Sequence, residues 1–196
     1  MGAQIAAHLV NVSVPVILFD LPAKEGDPDG IVKKGIAGLA RLEPAPLGIK
    51  ERATHIGVAN YATGLTRLAE CDLVIEAIAE RLDWKRDLYA KIVPHLAPHA
   101  ILATNTSTLD VNRIAGFTRR PADVLGMHFF SPANVMKLLE VVRGDGVVPG
   151  LTVRVCDGLS CEMAGAQDLL ARLPGILGGG DVRVIAAPCI GRCEQA

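Results

Sequence analysis

The sequence lacks an excess of either charge and lacks any long apolar run. Lysine and arginine number 20 against 21 aspartates and glutamates, so the 196-residue chain has a formal net charge of −1. Nucleic-acid binding needs a basic face or stripe, and this balance provides none. No apolar stretch reaches the roughly 18 to 20 residues that cross a bilayer. The N-terminus, MGAQIAAHLV, has no basic region typical of a signal peptide. These absences predict a cytoplasmic protein without a membrane span or a nucleic-acid partner.

Cysteine is scarce over most of the chain and concentrated near its end. Cys71 stands alone, and the other four are Cys156, Cys161, Cys189 and Cys193. In an intracellular protein such a cluster indicates a metal site more often than disulfides. Because half of the residues are hydrophobic, the chain has the composition of an ordered globular protein. The cysteines divide it into two parts.

Strand-like and helix-like segments alternate along the first part. The strand-like runs are 14–19, 72–78, 100–104, 123–130 and 135–142, and the helical patterns are 27–42, 83–96 and 108–116. In the second helix, the apolar stripe is Trp84, Leu88, Ile92 and Leu96. Such alternation predicts an α/β fold with parallel βαβ units and a doubly wound sheet.

The segment 144–150 follows the last of these strands and is rich in glycine and proline, which predicts a linker. Beyond it we expect a strand over 151–155, a helix over 163–173 and a strand over 181–187. The second part is therefore predicted to be a β-α-β unit with its cysteines at one edge.

Gly2 and Asp20 have the placement of two parts of a dinucleotide site. Such a site uses a glycine-rich turn at a helix N-terminus and an acidic residue after the second strand, which accepts hydrogen bonds from ribose hydroxyls. Asp20 directly follows the apolar run 14–19, but only the last glycine of a G-x-G-x-x-G pattern is available, at Gly2. A plain turn residue explains Asp20 about equally well.

Five segments carry a more specific signal: MGAQIAAH, VILFD, DLVIEAIAERLDWKRDLY, ATNTSTL and HFFSPANVMKLLEVV. In this order and spacing they resemble the NAD-binding domain of 3-hydroxyacyl-CoA dehydrogenases over residues 1–143. The resemblance implies a Rossmann-type sheet without its first strand, NAD as cofactor, and oxidation of 3-hydroxyacyl-CoA in fatty-acid metabolism. Family members also carry an all-helical domain that forms much of the acyl-CoA cleft and dimerises. Nothing after residue 150 resembles that domain, which predicts weak or absent turnover and leaves the oligomeric state open.

The same resemblance implies roles for individual residues. His128 matches the catalytic base, Glu140 the carboxylate paired with it, and Ser107 the serine that contacts substrate and nicotinamide. The implied cofactor contacts are Gly2, Asp20, Glu80, Lys85, Asn105 and Ser107. These residue types suit the chemistry, because a neutral imidazole can remove a hydroxyl proton and a carboxylate stabilises the imidazolium that forms. A serine hydroxyl can donate to the developing carbonyl oxygen.

Each of these residues also has a structural interpretation. A histidine beside two phenylalanines is often only packed, and Ser107 is also a candidate N-cap for the helix over 108–116. Glu80 and Lys85 also suit a solvated helix face. Glu140 is harder to explain this way, because it lies in an apolar strand and a buried carboxylate needs a partner.

The four clustered cysteines suit a 2Fe–2S cluster or a tetrahedral zinc, with unligated thiols as a third interpretation. Structural zinc usually uses C-x-x-C, so the wider spacings here favour the cluster. The segments VRVCDGLSCEMAGAQDLL and VRVIAAPCIGRCEQA resemble the thioredoxin-like 2Fe–2S subunit of bacterial NADH dehydrogenases and NAD-dependent formate dehydrogenases over residues 151–196. This resemblance implies four cluster ligands (Cys156, Cys161, Cys189 and Cys193), a partial thioredoxin-like domain, and subunits of those dehydrogenases as partners.

Both resemblances are incomplete at their ends, so we expect a fusion product, a misassembled reading frame or a fragment. Three functional interpretations follow. The chain is a 3-hydroxyacyl-CoA dehydrogenase, an electron-transfer module, or an inactive fusion.

Overall fold

A computed structural model describes residues 1–136, 138–144, 151–156, 171–172 and 182–187, with backbone only for 151–156 and 182–187. The chain divides into two compact units, Met1–Val147 and Val148–Ala196. The first unit contains α1 (Gly2–Asn11), β1 (Val16–Asp20), α2 (Gly30–Gly38), β2 (Ile56–Asn60), β3 (Leu73–Glu76), α3 (Leu82–Ile92), β4 (Ile101–Thr104), α4 (Val111–Ala115), β5 (Val124–Phe129) and β6 (Leu139–Arg143). Among the described residues, no helix is long and apolar enough to cross a membrane.

The first unit is a Rossmann-type α/β fold, as the sequence predicts. Strand β1 pairs in parallel with β2, while β3, β4 and β5 form a parallel ladder whose last strand pairs antiparallel with β6. In a Rossmann sheet of order 3-2-1-4-5-6, the pair β2–β1 corresponds to positions 3-2 and the series β3–β4–β5 to positions 4-5-6.

A cleft of about 1430 Å³ lies at the remaining position of that order. It is lined by residues of α1, β1 and β3, so both strand edges face it. No strand of the described residues pairs with the open edge of β1 or of β3. Consequently most residues of these two strands are half-buried or exposed, whereas three of the four residues of β4 are buried.

Strand β2 is not among the strands that the sequence indicates. Its apolar run is short and is interrupted by Gly57. That glycine fits a close approach between strands, because a Cβ there would lie 3.2 Å from the carbonyl oxygen of Val16 on β1. A short strand containing glycine gives little signal of period two.

The core of the first unit consists of two clusters of buried residues. In one cluster, α1 contributes Ala6, Ala7 and Val10. In the other, the buried residues include Tyr89 and Ile92 of α3, with Leu88 and Leu96 packed against them. The apolar stripe of α3 is nevertheless partly wrong, because Trp84 is 51% exposed and its neighbour Lys85 is buried instead.

Two further local features differ from the sequence interpretation. Helix α4 begins at Val111, and its N-cap is Asp110, whose side chain accepts from the N–H of Asn112. Ser107 is therefore not the N-cap. In the segment predicted as a helix over 27–42, Ile31 is 40% exposed, and Val32 and Leu39 are buried instead.

The second unit contains two described strands, β7 (Leu151–Cys156) and β8 (Val182–Ala187). They pair in parallel, with Leu151 opposite Val182 and Cys156 opposite Ala187. Of the helix predicted over 163–173, only residues 171–172 are described, and they are helical. Cys161, Cys189 and Cys193 lie outside the described residues.

Candidate active site

His128 and Glu140 meet on neighbouring antiparallel strands. They are direct partners in the register of β5 and β6, and the Nδ1 of His128 lies 3.2 Å from the Oε2 of Glu140. The imidazole is mostly shielded, with 17% of its side chain exposed, while 55% of the Glu140 side chain is exposed. The inference that Glu140 is buried is therefore wrong, because β6 is the last strand of its sheet and its residues are largely open to solvent.

The ring of Phe130 packs beside His128, with 4.4 Å between ring centroids. When Nδ1 carries the ring proton, it donates to Glu140 and leaves Nε2 as an acceptor. This arrangement can accept a proton from a substrate hydroxyl and can hold the resulting imidazolium next to a carboxylate.

Asn105 and Ser107 lie in the loop that follows β4. The Oδ1 of Asn105 accepts from the N–H of Phe129 at 2.7 Å, so this loop is attached to the residue after His128. Ser107 is exposed, and its N–H donates to the carboxylate of Glu80 at 2.9 Å. Its hydroxyl makes no hydrogen bond to any described residue and is available to a ligand.

Lys85 is not on a solvated helix face, and Glu80 precedes α3, with 34% of its side chain exposed. Lys85 is fully buried, and its Nζ lies 2.7 and 2.8 Å from the two carboxylate oxygens of Glu76. The same Nζ is 3.7 Å from the Oε2 of Glu80. Burial raises the pKa of Glu80, but hydrogen bonds from Thr106, Thr108 and the Ser107 N–H, together with the Lys85 charge, outweigh it and lower the pKa to about 2.

Gly2 and Asp20 both line the large cleft between β1 and β3. Gly2 begins α1, whose first N–H groups have no acceptor within the helix. Asp20 ends β1 and is exposed, and its Oδ1 accepts from the N–H of Leu21 at 2.8 Å. These groups suit NAD, because the helix start can donate to a pyrophosphate and the carboxylate can accept from ribose hydroxyls.

Sequence reasoning missed Tyr61, Glu76 and Thr104. Burial and the charges of Asp20 and Glu76 raise the pKa of Tyr61 to about 12, so its hydroxyl stays protonated in this cleft. Glu76 is 3% exposed and accepts from the hydroxyl of Thr104 at 2.7 Å. The sequence signal for Glu76 is its position at the end of the apolar run LVIE, since a carboxylate buried there requires a polar partner.

The side chains of the four clustered cysteines, which are the predicted iron or zinc ligands, lie outside what the structure describes. Within the described residues, no group of three or more histidine, cysteine, aspartate or glutamate side chains could hold a metal ion.

Comparison with known proteins identifies the family to which this chain is similar. A family described as "3-hydroxyacyl-CoA dehydrogenase, NAD binding domain" matches residues 1–160. The "Putative fatty acid oxidation complex trifunctional enzyme" of Rickettsia felis is 40% identical over 147 residues, which are 72% of this chain and 20% of that protein. The 3-hydroxyadipyl-CoA dehydrogenase of Escherichia coli is 42% identical over 162 residues, covering 80% of this chain and 33% of that protein.

Solved structures show the same similarity. The crystal structure of 3-hydroxybutyryl-CoA dehydrogenase from Escherichia coli gives a TM-score of 0.63 at 28% identity, and the match covers 96% of this chain and 36% of that one. The chain thus spans a third or less of the length of the two curated relatives named above. With a family match over residues 1–160, it belongs to the 3-hydroxyacyl-CoA dehydrogenase family and contains that family's NAD-binding domain.

Proposed function

We propose that this chain provides the NAD-dependent oxidation of 3-hydroxyacyl-CoA to 3-oxoacyl-CoA, with residues 1–143 as the NAD-binding domain. The observation that carries the proposal is the His128–Glu140 pair, in which the two side chains lie 3.2 Å apart on paired strands. The relatives support an acyl-CoA substrate, because their names include 3-hydroxyadipyl-CoA and 3-hydroxybutyryl-CoA dehydrogenase.

In this proposal His128 is the general base. Its Nε2 accepts the proton of the substrate hydroxyl while Nδ1 donates to Glu140. Once protonated, the imidazolium gains from the adjacent carboxylate, which also fixes the ring tautomer. The exposed Ser107 hydroxyl donates to the oxygen on which carbonyl character develops.

Bound NAD would supply the acceptor for the hydride that leaves the carbinol carbon. Asp20 is proposed to hold the adenosine ribose and the start of α1 at Gly2 to hold the pyrophosphate. Asn105 fixes the loop against β5 through Phe129, so it would hold Ser107 in the position from which the family's serine contacts the nicotinamide.

The test compares His128→Asn with a matched surface variant, His99→Asn, by following NADH oxidation with acetoacetyl-CoA at 340 nm. His99 also pairs with a carboxylate, Asp72, at 2.9 Å, but its side chain is 66% exposed. We expect His128→Asn to lower kcat about 10²- to 10⁴-fold, the range for loss of a general base, and to leave the NAD affinity unchanged. Equal kcat values in the two variants would contradict the proposal.

A second proposal concerns residues 151–196, as a partial thioredoxin-like domain that binds a 2Fe–2S cluster through Cys156, Cys161, Cys189 and Cys193. Its support is the strand pairing, because β7 ends at Cys156 and β8 ends two residues before Cys189. Since the strands are parallel and in register, their ends at Cys156 and Ala187 fall side by side. In this function the partners are NADH or formate dehydrogenase subunits.

Iron and zinc analysis of anaerobically purified protein tests this second proposal. We expect bound iron and visible absorption that are lost in Cys156→Ser and kept in Cys71→Ser. Cys71 is a suitable control because it lies in the first unit, with its thiol 3.7 Å from the Arg67 carbonyl. Zinc without iron, or neither metal, would overturn the cluster.

A further inference from the structure

The end of the β5–β6 hairpin that carries His128 extends beyond the neighbouring strand β4. The register of β4 with β5 ends at Thr104 opposite Gly126, two positions before His128. Among the described strands, this end of β5 pairs with β6 alone, and β6 is the last strand of its sheet. The position of His128 therefore depends on contacts outside the strand pairing. The hydrogen bond from the N–H of Phe129 to Asn105 is one of them.

The connection between β5 and β6 provides another, because it contacts α1. It begins at Phe130, whose ring packs beside His128. Three residues further on, Ala133 is buried, and its N–H donates to the Oε1 of Gln4 at 3.2 Å. Gln4 is the third residue of α1 and follows Gly2 by two positions. One hydrogen bond thus joins the start of the proposed cofactor helix to the hairpin that carries the proposed base.

Asn134 makes a second contact from the same connection. Its Nδ2 donates to the carbonyl oxygen of Pro44 at 2.7 Å. The loop that follows Pro44 is held by the last residue of α1, because the Asn11 side chain donates to the carbonyl oxygen of residue 46 at 2.8 Å and accepts from the N–H of residue 48 at 3.0 Å. The β5–β6 connection is therefore attached to the start of α1 directly and to its end through this loop.

Stability alone is a weak reason for the Asn134 side chain. Its Oδ1 is buried and has no hydrogen-bond partner among the described residues. A buried acceptor without a donor costs at least as much free energy as one hydrogen bond contributes. Pro44 is exposed, so water can take the place of the Asn134 donor. A fixed position for the connection explains this amide better than stability does.

We propose that Gln4 and Asn134 are positioning residues. They fix the β5–β6 connection against α1 and the Pro44 loop, and this sets the distance between His128 and a cofactor held at the start of α1. The catalytic consequence rests on the proposed dehydrogenase function, whereas the two hydrogen bonds themselves do not.

Three variants and a control test the proposal. Gln4→Met removes the acceptor at similar length, and Gln4→Glu keeps an acceptor oxygen. Asn134→Leu keeps the branched shape and removes both polar atoms. Thr54→Val is the matched control, because the Thr54 hydroxyl also donates to a backbone carbonyl, that of Glu51 at 2.8 Å, at an exposed position outside the hairpin.

Amide hydrogen exchange at Ala133 is the first readout. We expect exchange to accelerate about three- to tenfold in Gln4→Met, the range for loss of one hydrogen bond, and to stay unchanged in Gln4→Glu and Thr54→Val. Unchanged protection in Gln4→Met would overturn the positioning role of Gln4. This readout needs no turnover, so it separates failure of this inference from failure of the proposed function.

The value of kcat at saturating NADH is the second readout. We expect Gln4→Met and Asn134→Leu to lower kcat about tenfold or more, toward the 10²-fold that a misplacement of about 1 Å can cost, and Gln4→Glu to restore it. The NADH dissociation constant of Gln4→Met should stay within about twofold, because Gly2 and Asp20 are unchanged.

Thermal unfolding separates positioning from a purely structural role. Because Asn134→Leu also removes a buried polar atom that lacks a partner, its melting temperature should be unchanged or higher although kcat falls. A normal kcat in Gln4→Met and Asn134→Leu, or a kcat that falls only in proportion to the fraction of unfolded protein, would overturn the inference.

Discussion

The proposed base, His128, depends most directly on the exposed carboxylate of Glu140. Because 55% of the side chain is exposed, solvent screens its attraction for the imidazolium. Glu140→Gln keeps the shape and removes the charge. We expect kcat to fall about 10- to 100-fold, less than for loss of the base itself, as measured by NADH oxidation across pH. Glu25→Gln, at an exposed position, is the control. An unchanged kcat would mean that Glu140 does not assist His128.

Glu80 gives the loop a dependence on pH. Its pKa is about 2 in the folded protein, against 4.5 ordinarily. The stabilisation it contributes is therefore fully present above about pH 4.5 and is lost as the pH falls toward about 2. We expect urea unfolding to show a larger loss of stability between pH 6 and pH 3 in the unmodified protein than in Glu80→Gln. The same loss in both proteins would contradict this assignment.

At the scale of elements, the β5–β6 pair sets the distance between His128 and Glu140, and Gly126 sets the approach of the two strands. A Cβ at Gly126 would lie 2.9 Å from the Cβ of its register partner Val142 and 3.2 Å from Val111 of α4. Gly126→Ala should therefore destabilise the protein by about 1–3 kcal/mol, as overpacking does.

Gly35→Ala is the matched control for that change. Gly35 lies inside α2, and a Cβ there would meet nothing within 4 Å. Alanine in a helix interior should stabilise by about 0.5–1 kcal/mol. Thermal unfolding of the two variants should shift in opposite directions. A stable Gly126→Ala protein would show that β6 can move away from β5 at little cost.

An element could be predicted from the sequence when its own residues carried a clear pattern. The apolar runs of β1, β3, β4 and β5 were sufficient, because strands of a parallel sheet have near-continuous apolar sequences. The buried face of α3 was only partly predictable from apolarity, because Lys85 occupies part of it and its partner Glu76 lies nine positions earlier on another element. The His128–Glu140 contact followed from the resemblance, but the exposure of Glu140 followed only from the position of β6 at the end of the sheet.

For the molecule as a whole, the open cleft between β1 and β3 is the feature with the widest consequence. Within the described residues, each of these strands has one paired and one unpaired edge. Unpaired edges offer N–H and C=O groups to another chain, and exposed apolar side chains favour that pairing. Leu73 of β3 lines the cleft and is 40% exposed. We therefore expect self-association that increases with concentration.

Variants at Leu73 and Ile101 can distinguish self-association through the β3 edge from association through exposed apolar area in general. The two residues are partners in the β3–β4 register and are equally open, at 40% and 41% exposure, but β4 is paired on both sides. A lysine on an edge strand opposes strand addition. Leu73→Lys should thus reduce the sedimentation-determined association constant strongly, and Ile101→Lys only slightly. If both variants reduce it equally, exposed apolar area rather than the β3 edge drives association, because that area is the property the two positions share.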